Sequence, residues 1–282
     1  MGDDSIAIAM RGIEHSLKWA FRKHAGGNPL RPSSIGKPDR QLWYAAHDTA
    51  SEPLLPHTQI KFLIGNILEH VLLALCDHAG HEVTHQQAKV TLFGNERDDD
   101  GIPLNTTTGS IDARIDGELV DAKSTSVFGF KKFKAGKLHE DDPFGYYPQL
   151  VAYGQGRAED KTDAPIGGWL AIDKQNGHIT FLRADPEHIP DMRETLDHKA
   201  AVIVQEEVPE RCYPLEPEGQ SGNMKLGINC SYCQYKMTCY DDANDGRGLR
   251  AFSYYKGPVF FAKVVKEPNV PEIPLGEQDA ES

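Results

Sequence analysis

Asp112, Asp121 and Lys123 stand around a turn that local rules fold without further assumption, and two carboxylates beside an ammonium suit a bound divalent cation. At the centre of the stretch from Gly109 to Ser124 lies Asp116-Gly117. Asp-Gly supplies the positive φ angles of a type I′ turn, and apolar and polar residues alternate on both sides. Residues 110–115 and 118–123 are therefore predicted to pair as antiparallel strands, with Asp112 opposite Asp121. One face then carries Ser110, Asp112, Arg114, Leu119, Asp121 and Lys123. The other carries Ile111, Ala113, Ile115, Glu118, Val120 and Ala122 and has the make-up of a core surface. Opposed aspartates repel. A divalent cation between them, with Lys123 alongside, removes the conflict; a solvated face on which Arg114 and Lys123 neutralise the aspartates is the alternative.

Several elements must position this hairpin. Apolar residues at Ile6, Ala9, Met10, Ile13, Leu17 and Phe21 predict an amphipathic helix over 5–24 whose other face holds Arg11, Lys18, Arg22 and Lys23. Gly26-Gly27-Asn28-Pro29 breaks it, and a second helix is expected after a cap at Ser33 or Ser34. A clear helix runs from His57 to Ala79, with Ile60, Leu63, Ile64, Ile67, Val71, Leu72 and Leu75 on its buried side. His70 falls at the flank of that stripe, and Glu69 points nearly the opposite way. A strand is expected over Glu82–Phe93, a helix over Pro143–Gly156 with Gln149 and Tyr153 on one side, strands over Gly167–Asp173 and His178–Arg183, and a helix over Pro186–Val208.

Lysines 131, 132, 134 and 137 interleave with Phe128, Phe130 and Phe133 directly after the hairpin. Lysines neutralise phosphate while rings stack on unpaired bases, so this patch is a candidate nucleic-acid contact; a solvated lysine face over buried phenylalanines explains it equally well. The net charge of −12 excludes a protein that coats nucleic acid by charge alone. With 39% hydrophobic residues in 282, the chain can build a real core. No apolar run is expected to span a bilayer, and residues 1–5 lack the basic region of a secretory signal, which suggests an intracellular, cytoplasmic protein. The division expected is an N-terminal helical region (1–56), a core (57–210), a cysteine region (211–250) and a partly disordered tail (251–282), rich in proline and acidic residues from Glu267, all within a single overall domain.

Taken together, a helix with His70, then Asp112, then Asp121-Ala122-Lys123, then Gln149-Leu150-Val151-Ala152-Tyr153, resembles the RecB-like branch of the PD-(D/E)xK nucleases. The resemblance covers residues 57–183. It implies an α/β fold with a central mixed sheet flanked by helices, and metal-dependent cleavage of DNA phosphodiesters. His70, Asp112 and Asp121 would hold Mg²⁺ or Mn²⁺. Lys123 would position the attacking water or stabilise phosphoryl charge, Gln149 and Tyr153 would orient Lys123 and the DNA, and Ser124 and Ser126 would contact phosphate. Stand-alone relatives of this kind are common in phages and their hosts, and the resemblance implies an exonuclease acting on DNA ends or single strands in recombination, repair or degradation of DNA. A selective endonuclease and a non-catalytic DNA-binding subunit are the alternatives.

Cys230, Cys233 and Cys239 lie within ten residues of one another, too close for a disulfide framework to be the natural reading. The run resembles the C-terminal part of the iron–sulfur staple of RecB-like nucleases and implies a 4Fe–4S cluster; zinc and unliganded thiols remain open. The relatives draw a fourth cysteine from a Ser-x-x-x-Cys-Pro context near the N-terminus. Here Lys37 of Ser33-Ser34-Ile35-Gly36-Lys37-Pro38 stands in its place. Cys212 is the candidate fourth ligand, with Cys76 as the alternative. A staple closed by Cys212 would tie only local chain.

Overall fold

Asp116 and Gly117 make the expected turn, with φ angles of 51° and 82° that the missing Cβ of glycine and the short side chain of aspartate tolerate. The computed structural model describes residues 2–21, 29–52, 56–158 and 164–275. In chain order come helices α1 (Gly2–Phe21), α2 (Pro32–Ile35), α3 (Asp39–Ala46) and α4 (Pro56–His78), then strands β1 (Val83–Thr84), β2 (Lys89–Phe93), β3 (Thr106–Ser110), β4 (Ala113–Ile115) and β5 (Glu118–Thr125). Helices α5 (Val127–Lys134) and α6 (Tyr146–Gln155) follow, then β6 (Arg157–Ala158), β7 (Ile166–Asp173), β8 (Ile179–Arg183) and α7 (Met192–Val204). The rest is β9 (Glu216–Pro217), β10 (Met224–Lys225), short helices α8 (Ile228–Ser231), α9 (Lys236–Cys239) and α10 (Ala243–Gly246), and β11 (Arg250–Tyr254), β12 (Gly257–Lys263) and β13 (Glu272–Ile273).

The chain divides into two compact units, Met1–Lys37 with Pro56–Val204 and Pro38–Leu55 with Gln205–Ser282. The first is mixed α/β. Its five-stranded sheet has the order β1-β4-β5-β7-β8, in which β5 and β7 are parallel and the other pairs antiparallel. Leu72 and Leu73 of α4 bury Val120 and Ala122 on one face of β5, while Phe130 and Phe133 of α5 and Leu150 of α6 share a core with Leu119 and Trp169 on the other. Both faces of the hairpin are thus covered by helices, so the polar face expected on it is enclosed by protein.

The register Ala113↔Val120, Arg114↔Leu119, Ile115↔Glu118 is the predicted one. The flanking strands are not continuous as expected. Residues 82–93 split into β1 in the five-stranded sheet and β2 in a second sheet of order β3-β2-β6, across a turn where His85 and Gln87 take positive φ. Residues 110–115 split likewise, because β3 ends at Ser110 and β4 begins at Ala113. Ile111 and Asp112 carry the chain between the sheets, and the Gln87 N–H donates to the Asp112 carbonyl at that crossing.

Helix α4 turns a different side to the sheet than the apolar spacing suggests. Ile60, Ile64 and Leu75 are about half exposed, at 57%, 49% and 48%. Gly65 is the contact with β5: a Cβ there would lie 2.7 Å from Ser124 Oγ. By length and composition Thr58–His78 is apolar enough to cross a membrane, contrary to expectation; here its Leu72, Leu73 and Ala74 are buried against the sheet. Pro186–Val208 forms one short 3₁₀ turn and then α7.

In the second unit the order is β13-β11-β12-β10-β9, all antiparallel, over a core that includes Leu226, Tyr240, Leu249 and Phe260. Residues 251–275, expected within a partly disordered tail, supply three of these strands, and Arg250 pairs with Glu267 and Glu272. Residues 276–282 and the basic Arg22 and Lys23 lie outside the described residues. Gly65→Val should push the Ser124 hydroxyl off the Glu69 carboxylate and crowd the seam between α4 and β5; a loss of about 1–3 kcal/mol in urea unfolding with unchanged m-value is expected.

Candidate active site

Asp121 and Lys123 sit two residues apart on β5, so their side chains leave the same face and meet. Lys123 Nζ lies 2.8 Å from Asp121 Oδ2, with 12% and 3% of the two side chains exposed. Asp112, just outside the β4 ladder, turns its carboxylate back so that Oδ2 accepts the Ala122 N–H at 2.8 Å. Glu69 of α4 accepts from the Ser124 N–H at 3.0 Å and from its hydroxyl at 3.3 Å. Lys123 Nζ also stands 5.1 Å from the centre of the Tyr146 ring, a cation–π distance.

Burial raises the pKa of Asp121, more than the Lys123 ammonium lowers it, and the charges of Asp112 and Glu69 raise it further. Glu69 is raised in the same way, by burial first and by Asp112 against the opposing pull of Lys123. Burial alone would lower the pKa of Lys123, but Asp121, Asp112 and Glu69 outweigh it and hold the ammonium charged. Three carboxylates and one ammonium, all ionised, leave an excess of two negative charges in a low-dielectric place, which a proton or a cation must relieve.

Glu69, His70 and Asp112 line one cavity of about 280 Å³, together with Ser16, Ser33, Asn66, Leu73 and Gln87. The helix residue aimed at the strand end is Glu69, which was expected to point away from the sheet and instead shares the cavity with His70. His70 is 7% exposed and packs against Gly12 of α1, where an added Cβ would come 2.2 Å from its ring. Ser124 is engaged in holding Glu69, and Ser126 Oγ caps α5 by accepting the Gly129 N–H; neither hydroxyl is held ready for phosphate as expected. Gln149 and Tyr153 are hydrogen-bonded to each other, with the Tyr153 hydroxyl, pushed up to about 12 chiefly by burial, near Asp112 and Asp121. The ring that meets Lys123 is Tyr146, at the start of the same helix α6. Of the lysine patch, Lys131 and Lys134 are exposed, and Lys132 is paired with Asp141. Phe130 and Phe133 are core residues at 6% and 2% exposure, which leaves Phe128 outward.

In the second unit Cys212, Cys230, Cys233 and Cys239 line one cavity of about 40 Å³, together with Arg40, Tyr44, Arg211, Lys236 and Tyr240. Backbone N–H groups of Arg40 and Gln41, in the first turn of α3, bond to Cys212, offsetting part of the rise in pKa that burial causes. Burial also pushes the Cys230 thiol up to about 11, and its sulfur is 4.0 Å from the Tyr240 hydroxyl. The Arg211 guanidinium stacks 4.4 Å over the Tyr240 ring and donates to the Cys239 carbonyl. Cys76, on α4, packs with Leu72 and Val120 instead. Among the described residues no three His, Cys, Asp or Glu side chains converge closely enough to grip a single ion as they are turned here. Asp121 is turned onto Lys123 and Asp112 onto a backbone amide, whereas the four thiols surround a cavity without meeting at a point.

No protein-family model matches the chain, and no curated protein matches its sequence.

A carboxyl whose folded pKa is raised stabilises the protein fully below its unfolded pKa, and that contribution is lost as pH rises through the folded value. For Asp121 the window runs from the ordinary carboxylate range near 4 to about 8. In EDTA the melting temperature of wild type, relative to Asp121→Asn, should therefore fall between about pH 5 and about pH 8. Added Mg²⁺ should restore it more at the upper end than at the lower. A wild-type and mutant difference that is flat with pH would refute the enclosed acid cluster.

Proposed function

We propose that this chain is a metal-dependent DNA nuclease of the RecB-like branch of the PD-(D/E)xK fold, an exonuclease acting on DNA ends or single strands in recombination, repair or degradation of DNA. The observation that carries the reading is the enclosed group of Glu69, Asp112, Asp121 and Lys123, three carboxyls set around one ammonium, in which burial and mutual repulsion hold Glu69 and Asp121 up and a divalent cation would take the place of the protons. A mixed sheet flanked by helices, with Gln149 and Tyr153 on α6 beside the same group, supports it. A scaffold subunit has no use for such a cluster, because enclosing unbalanced charge costs stability.

Glu69, Asp112 and Asp121 would hold the metal, a donor set of hard oxygens suited to it; when bound, the ion polarises the scissile phosphate and lowers the pKa of water. Asp121 and the Tyr146 ring fix Lys123 Nζ, leaving the charged ammonium as a donor to phosphoryl oxygens as negative charge develops. Ser124 fixes the Glu69 carboxylate. The bonded Gln149 and Tyr153 pair makes a rigid wall of α6, and His70 closes the cavity on the side of α1.

For the cysteine cavity we propose a 4Fe–4S cluster on Cys212, Cys230, Cys233 and Cys239. Four thiols lining one cavity fit the Cys₄ ligand set that such a cluster takes, and zinc, which accepts the same four thiolates, is the alternative. In this reading α3 supplies N–H groups to Cys212 where the relatives supply a cysteine. Protein purified without oxygen should be brown and carry about four iron atoms per chain. Cys212→Ser should lose that iron and Cys76→Ser should keep it; a colourless protein with one zinc per chain would refute the cluster.

Digestion of end-labelled linear duplex, single-stranded and covalently closed circular DNA with each metal tests the activity. Linear and single-stranded DNA should be degraded from their ends, whereas cutting of closed circles would indicate an endonuclease. Asp121→Asn, Lys123→Ala and Glu69→Gln should each lower the rate by about 10³ or more, and His70→Gln by less than about tenfold. Full activity in Lys123→Ala would refute the site.

A further inference from the structure

Phe144 and Phe128 are among the most exposed large apolar side chains of the first unit, at 68% and 71%. Phe144 stacks on Tyr146, ring centres 5.4 Å apart and 26° between planes, and Tyr146 is the ring beneath Lys123 Nζ. An outward aromatic face is thus continuous, through one ring, with the ammonium of the candidate site. The loop that presents it is fixed. Asp142 accepts the Tyr147 N–H at 2.6 Å, and Gly145, at a φ of 70°, turns the chain into α6. Phe128 is tied to the same loop: Lys132 Nζ stands 5.2 Å from its ring centre and donates to the carbonyl of Asp141 at 3.1 Å. Exposed Lys131 and Lys134 stand on the same short helix.

Phe144 in its hydrogen-bonded loop and Phe128 at the start of α5 bury little within the protein, so the fold itself gains little from them. Flat π faces flanked by lysines match an unpaired base with its phosphate. Bases within a duplex are already stacked on one another and offer no free face. We infer that Phe144 and Phe128 form a stacking platform that receives the unpaired bases of single-stranded DNA and leads the strand to Lys123. The inference rests on the nuclease reading and adds to it a preference for single strands.

The test compares labelled oligothymidine with an abasic deoxyribose-phosphate oligomer of equal length, bound to the full chain with Ca²⁺ in place of Mg²⁺. Wild type should bind the base-bearing strand at least about tenfold more tightly, as one stacked base warrants. Phe144→Ala with Phe128→Ala should bring the ratio near one, Phe144→Leu should not rescue it, and Phe144→Trp should. 2-Aminopurine in the bound strand should be quenched by wild type and not by the alanine variant. Equal binding of the two strands by wild type, binding of neither, or a ratio unchanged in the double variant would overturn the platform, as would a double variant altered only in its self-association. Cleavage by wild type with Mg²⁺ is scored separately. A chain that cleaves without sensing bases refutes the platform alone, and one that senses bases without cleaving refutes the nuclease reading.

Discussion

The first unit is arranged around an ion pair that water barely reaches. Asp121 and Lys123 lie on the central strand of a sheet covered on both faces, where an ionised pair is costly unless geometry and further partners compensate. Two features raise the charge further. Gly65 lets α4 approach closely enough for Glu69 to reach Ser124, and the crossing of the chain between two sheets turns Asp112 onto the Ala122 amide. Repulsion between the opposed aspartates, inferred from the hairpin alone, therefore understates the imbalance, because a third carboxylate joins them. One ammonium answers three acids, an imbalance that bound protons or a cation must relieve.

The second unit solves a different problem. A thiolate set closed by Cys212 connects only local chain, yet Pro38–Leu55 belongs with the C-terminal residues all the same. Arg40 donates to the Pro209 carbonyl and Trp43 to that of Gln205, at 2.7 and 2.9 Å. Lys236 pairs with Glu52, and the Thr238 hydroxyl donates to the Ala50 carbonyl at 3.3 Å. With the amides of Arg40 and Gln41 directed at Cys212, the segment is held by many neutral and charged hydrogen bonds. A cysteine at position 37 is not needed to hold it there.

Local rules sufficed wherever the determining contacts lie within a few residues. The Asp-Gly turn, the register of its two strands, α6 and the strands at 166–173 and 179–183 were all legible, because turn chemistry and side-chain period act over that range. Asp121 and Lys123 followed from the same period, whereas Asp112, expected opposite Asp121, lies outside the ladder and joins them by accepting the Ala122 N–H. The side of α4 that faces the sheet was not legible, since apolar residues surround most of that helix and α1 covers a second side of it. The one local signal was Gly65, a residue without bulk one helical turn before Glu69. Tyr146 and the exposure of Phe144 depend on how a loop of irregular backbone is pinned by Asp142, which no periodicity describes.

The sequence by itself determined which residues could pair across a turn, and so brought Asp121 and Lys123 to one strand face with Asp112 nearby. Only the tertiary structure decided that this face is enclosed, that Glu69 and not His70 completes it, and that Cys212 shares a cavity with three cysteines lying 18 or more residues further on. The reason is physical. Hydrogen-bonded turns and side-chain periods are set by covalent geometry over a few bonds, whereas burial and charge balance depend on which distant surfaces meet.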